Sequence, residues 1–120
     1  MKKVILILAV VLTSFTMVGQ NITGKWNGKF NLHGKELRVV FHISKSKTGL
    51  KATMDSPYQK TYGMPVTVTN LNDSILKLEI LNAGIEYLGK VDDNNNFVGT
   101  INIKQSQQSY PLILSQKEVD

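Results

Sequence analysis

Few residues in this chain have side chains suited to chemistry on a substrate. There are two histidines, His33 and His42, and no cysteine among 120 residues. A serine hydrolase needs a nucleophile on a strained elbow, commonly G-x-S-x-G, with a histidine and a carboxylate in reach. No such elbow occurs. Ser56 beside Asp55, with His42 earlier in the chain, supplies the residue types of a triad without its spacing. Without cysteine, a metal centre would fall to His33, His42 and carboxylates, which form no ligand motif. The acidic run Asp92-Asp93-Asn94-Asn95-Asn96 lacks the spacing of a calcium loop. It reads as a turn rich in residues that tolerate left-handed backbone. Neither a catalytic residue, a metal nor a cofactor is expected.

Binding chemistry is better represented. The irregular stretch Asp55 to Pro65 carries Asp55, Tyr58, Lys60 and Tyr62, two phenols flanking a lysine. Loops mounted on rigid scaffolds carry most binding contacts, so these four form one candidate surface. A second candidate set is apolar residues that break an otherwise polar register, namely Val40, Leu88, Val98 and Ile113. A third is the barrel interior, Trp26, Phe30, Phe41, Met54 and Tyr87, of which the last four would line a lipophile cavity. Only the Tyr87 hydroxyl would orient a ligand there, so a core filled by side chains is favoured.

The elements that must position these residues are strands. From Trp26 onward the chain alternates with period two: Trp26, Gly28, Phe30 and Leu32 oppose Lys25, Asn27, Lys29 and Asn31. Leu37, Val39, Phe41 and Ile43 follow, then Leu50, Ala52 and Met54, and a short run at Val66 and Val68. Leu76, Leu78 and Ile80 come next, then Ile85, Tyr87, Gly89 and Val91. Phe97, Gly99, Ile101 and Ile103 precede a last run of Tyr110, Leu112 and Leu114. Such alternation marks strands with one wet face. Asn70 to Ser74 reads as a turn, and Asn82-Ala83-Gly84 as a tight turn with Gly84 at positive φ. About eight strands joined by short turns predict an all-β antiparallel up-and-down barrel, with a curled sheet or sandwich as the alternative. Inward Gly28, Gly89 and Gly99 would bend it, with Gly89 opposite Gly99.

The first residues stand apart. Lys2 and Lys3 precede the apolar run Val4 to Leu12, and a smaller, more polar stretch ends at Gly19. This layout predicts a signal peptide over residues 1–19, an exported single domain over 20–120, and no transmembrane segment after cleavage. Spanning a bilayer takes roughly 20 apolar residues, about twice the apolar run present. The whole chain has 14 basic and 9 acidic residues, for +5. Without Lys2 and Lys3 the balance is 12 against 9, or +3, spread evenly along the chain. Nucleic-acid binders concentrate such charge, so no nucleic-acid partner is expected.

Gly24-Lys25-Trp26 resembles the G-x-W that opens the first strand of lipocalins. A wider resemblance rests on Ile22 to Gly28, Leu37 to Ser44, Ala52 to Pro57, Gly84 to Tyr87, Val98 to Thr100 and Pro111 to Leu114. In that order they are similar to the β-rich domain preceding the catalytic domain of secreted bacterial α/β-hydrolases. The resemblance implies a lipocalin-like fold and a periplasmic or extracellular location. In that family the triad belongs to the following domain, and it has no counterpart here. The expectation is therefore a non-catalytic module acting by protein or glycan binding, docking on a hydrolase domain or another protein, or weakly on itself. The alternatives are a lipophile carrier and a hydrolase truncated after Asp120.

Overall fold

The computed structural model describes residues 22–117. The expected signal peptide and the alternative of a truncation after Asp120 both lie outside the described residues. The described residues form nine strands and two short 3-10 turns: β1 Gly24–Leu32, β2 Lys35–Ser46, β3 Gly49–Ser56, β4 Thr61–Pro65, β5 Val68–Asn72, β6 Ile75–Ile80, β7 Ile85–Val91, β8 Phe97–Ile103 and β9 Gln108–Leu114. All ladders are antiparallel between sequence neighbours, in a four-stranded sheet β1–β4 and a five-stranded sheet β5–β9. Among the described residues no helix is long and apolar enough to cross a membrane.

Two segments differ from the reading of the sequence. Asp55 to Pro65 contains a strand, β4, which pairs with β3 across a bulge between Met54 and Ser56. Gly63, at φ +70°, and Pro65 break the alternation that would have marked it. Asn70 to Asn72 are extended, and the turn contracts to Asp73 and Ser74, both at positive φ.

The two sheets share an interior. Leu37, Val39, Phe41 and Ile43 face Leu76, Leu78, Ile80, Phe97, Ile101, Leu112 and Leu114, all buried. Trp26 is 2% exposed, lies 4.9 Å from Phe97 centroid to centroid, and donates its indole N–H to the Ile22 carbonyl at 2.7 Å. Its ring thus ties the first sheet to the second. Tyr87 is fully buried and folds over Gly89, where an added Cβ would meet its hydroxyl at 2.3 Å. Gly89 does pair with Gly99. A Cβ on Gly99 would stand 1.8 Å from the Leu88 carbonyl oxygen, so only glycine fits.

The sheets meet along two seams rather than through continuous ladders. At one, Asn27 and Ser115 exchange backbone hydrogen bonds of 2.6 and 2.8 Å, a single bridge between β1 and the end of β9. Gly28 permits this crossing, because a Cβ there would meet Leu112, Ile113 and Leu114 at 2.7–2.9 Å. At the other, the chain from β4 into β5 changes partners: Val66 N–H donates to Ala52 of β3, and Thr67 N–H to Glu79 of β6. The Thr69 hydroxyl, buried on β5 beyond this switch, has no hydrogen-bond partner.

Candidate binding groove

The outward register of the first sheet brings His42 and Asp55 together beside Lys25. The β2–β3 turn at Lys47 and Thr48 sets Ser46 opposite Gly49, and the register carries through to Val40 opposite Asp55. His42, two residues from Val40, thereby becomes the diagonal neighbour of Asp55, while Lys25 of β1 lies directly across from His42. His42 Nε2 and Asp55 Oδ2 are 2.8 Å apart. The other carboxylate oxygen, Oδ1, accepts from the Gly63 amide at 2.8 Å. Burial works to raise the Asp55 pKa. The Gly63 amide, His42 and the charge of Lys25 outweigh it and hold the carboxyl below its ordinary range.

These residues line a concavity of about 280 Å³ whose walls include Lys25, Arg38, Val40, His42, Asp55 and Tyr62. A second hollow of about 380 Å³ shares Lys25 and His42 as walls and is lined further by Ser44, Lys51 and Thr53. The groove thus crosses three strands and is rimmed by Lys25, Arg38 and Lys51, with Asp55 on its floor. Tyr62, 65% exposed, stands at its β4 side. The arrangement can hold polar ligands by charge and hydrogen bonding. Ser56 is not part of it: the residue faces the opposite side of β3, is buried, and donates to Gln59 Oε1 at 2.9 Å.

The loop residues read from the sequence divide. Asp55 and Tyr62 enter the groove. Tyr58 accepts instead from Lys35 Nζ at 2.8 Å, with the ammonium 5.5 Å from its ring centroid, and Lys60 is an exposed left-handed cap at φ +56°. The apolar outward set divides too. Val40 belongs to the groove, whereas Leu88, Val98 and Ile113 lie on the second sheet. There the registers Ile75–Lys90, Lys90–Val98 and Val98–Ile113 form one transverse row, with Leu88 beside it. Ile75 was not singled out in the sequence, although its place just before inward Leu76 is signal enough.

The interior residues Phe41, Met54 and Tyr87 retain 1, 3 and 0% of their surface. The Tyr87 hydroxyl is committed to backbone carbonyls, those of Leu112 at 2.9 Å and Phe97 at 3.2 Å. Burial raises its pKa. Among the described residues no three His, Cys, Asp or Glu side chains are grouped to hold a metal ion.

No family model, curated protein or solved structure matches the chain. Its function has to be argued from the groove itself.

Proposed function

We propose that this chain is an exported, non-catalytic β module that acts by binding a protein or a glycan. The chain between β4 and β5 hydrogen-bonds to both sheets, and the Asn27–Ser115 bridge joins the outer strands. These seams support a lipocalin-like meander closing on itself, the fold implied by the resemblance to the accessory domain of secreted α/β-hydrolases. The observation that carries the reading is the groove on the first sheet, where charged and aromatic side chains converge around a pinned carboxylate. Concave sites with a few fixed polar groups are the usual form of binding sites. A lipophile carrier is less well supported, because the one interior hydroxyl is already spent on backbone carbonyls.

The test has two arms. Fractionation of the native host should find the chain outside the cytoplasm, and hydrogen exchange in the presence of exported host material should slow in β1–β3. The purified chain should turn over neither ester nor peptide substrates. Cytoplasmic retention, unchanged exchange, or turnover abolished by Ser56→Ala would each contradict the proposal.

A specific observation favours a second contact surface, for a second copy of this chain. The row Ile75–Lys90–Val98–Ile113 presents Val98 and Ile113 side by side, with Ile75 beyond Lys90, and Leu88 lies diagonal to Val98. A patch of four side chains falls well short of the ~800 Å² per partner of a stable interface, so association through it is weak.

A further inference from the structure

On the outer face of the second sheet, charge is mostly spent within the face. Four charged side chains stand on β5–β9: Lys77, Glu79, Glu86 and Lys90. Lys77 Nζ lies 3.0 Å from Glu79 Oε1 and 4.0 Å from Glu86 Oε2, and Glu86 also accepts from Asn102 at 3.3 Å. Lys90 is exposed and makes no ion pair among the described residues.

Lys90 also stands inside the apolar patch and not at its rim. The register sets Ile75 of β6 and Val98 of β8 directly beside it, with Ile113 one strand further. Leu88, two residues away on β7, is diagonal to both Ile75 and Val98. These four apolar side chains are 38–52% exposed.

Such a surface fits another sheet face, because sheets stack about 10 Å apart with their side chains interdigitated. The same face of a second copy offers apolar side chains to apolar ones, and its other charges are already paired. A two-fold contact is self-complementary, so a residue central to the patch meets its own symmetry mate. On this face that residue is Lys90. Two ammonium groups then oppose the burial of the apolar side chains around them.

We propose that two copies pack their second sheets face to face, with both Lys90 side chains brought together at the two-fold axis, where their repulsion holds the association weak. The arrangement rests on the self-association proposed above and gives it a geometry and a controlling residue.

Sedimentation equilibrium of the purified chain, carried to millimolar concentration, tests it. Raising salt screens like charges and should tighten the parent dimer. Lys90→Ala should tighten it about fivefold, the size of one exposed charge contact. Lys90→Glu exchanges one like-charged pair for another and should stay as weak as the parent. The mixture of the two decides. An isotope-labelled Lys90→Glu chain titrated with the parent should associate about fivefold more tightly than either chain alone, read from amide shifts in β7–β9. Lys90 is exposed, so thermal melts of both variants should stay close to that of the parent.

A mixture no tighter than the separate chains, with Lys90→Ala unchanged, would overturn the arrangement and leave the self-association standing. A parent dimer loosened by salt would do the same. Parent and Lys90→Ala chains both monomeric at millimolar concentration would overturn the self-association together with its geometry. The groove is judged separately, by the exchange and fractionation experiment.

Discussion

The two outer faces of this molecule are built on the same alternation and have opposite characters. The first sheet turns Lys25, Arg38, His42, Lys51 and Asp55 outward and shapes them into a groove. The second turns out Ile75, Val98 and Ile113 in one transverse row. Two rows further along the strands, Glu86 accepts from Asn102, Asn102 from Ser109, and Lys77 bridges Glu79 at 3.0 Å. Inward positions on both sheets are mostly large apolar side chains of the same kinds. Fold is thus written on the inner register, and what the protein touches on the outer one. Scattered surface apolar residues are ordinary. An apolar row broken by Lys90 on one face and a polar groove on the other give the two sheets different surfaces.

The interior shared by the two faces is where the comparison breaks most completely. Trp26→Ala removes the ring that joins β1 to Phe97 and should cost about 3–5 kcal/mol, a large part of the stability of a small domain. Gly99→Ala should be no milder, since its Cβ would collide with backbone. Either change should abolish the cooperative melt seen by circular dichroism and with it both faces together. A folded Gly99→Ala chain of normal melting temperature would disprove the close approach of β7 and β8.

Tyr87→Phe is a gentler probe of the same interior. Two carbonyls lose their donor, at a cost of about 1–3 kcal/mol. It should also change the response to alkali. The Tyr87 pKa is raised in the folded state, so above the ordinary value of 10.0 the unfolded chain releases its proton while the folded chain keeps it. Stability then falls as pH rises beyond that point, and below it Tyr87 contributes no slope. Denaturant melts from pH 8 to 11, compared with Tyr87→Phe, should show the variant losing less stability across that window.

The smallest effect belongs to the seam. Replacing Thr69 with valine removes the one buried side-chain hydroxyl found without a partner among the described residues and should raise stability by about 1 kcal/mol. A destabilised Thr69→Val would mean that the hydroxyl is satisfied in solution.

Much of this architecture was legible from the sequence because it depends on local pattern. Period two alone put Trp26, Phe30, Phe41, Tyr87 and Leu112 inside. The opposed glycines followed from counting across the loop from Val91 to Phe97. What was missed depends on pairing. His42 and Asp55 stood in the sequence only as residue types of a triad without its spacing, because their contact exists only once β2 and β3 are in register. The turn at Lys47-Thr48 held that information, since a two-residue connection fixes the register. β4 was hidden by Gly63 and Pro65, and is extended because β3 holds it, not because its residues favour a strand. Tyr58 and Tyr62, four apart in one loop, looked equivalent. Only the turn at Pro57–Gln59 sends one toward Lys35 and the other to the groove.

The central claim is that recognition resides on the first sheet while the second sheet serves at most self-association. Amide chemical-shift mapping during titration with exported host material, repeated on Leu88→Lys/Val98→Lys, tests it most directly. The account predicts shifts concentrated at Lys25, Arg38, His42, Lys51, Asp55 and Tyr62, unchanged in the double variant, with β7–β9 responding only to protein concentration. Ligand-dependent shifts centred on Leu88, Val98 and Ile113, lost in the double variant while the groove stays silent, would contradict it.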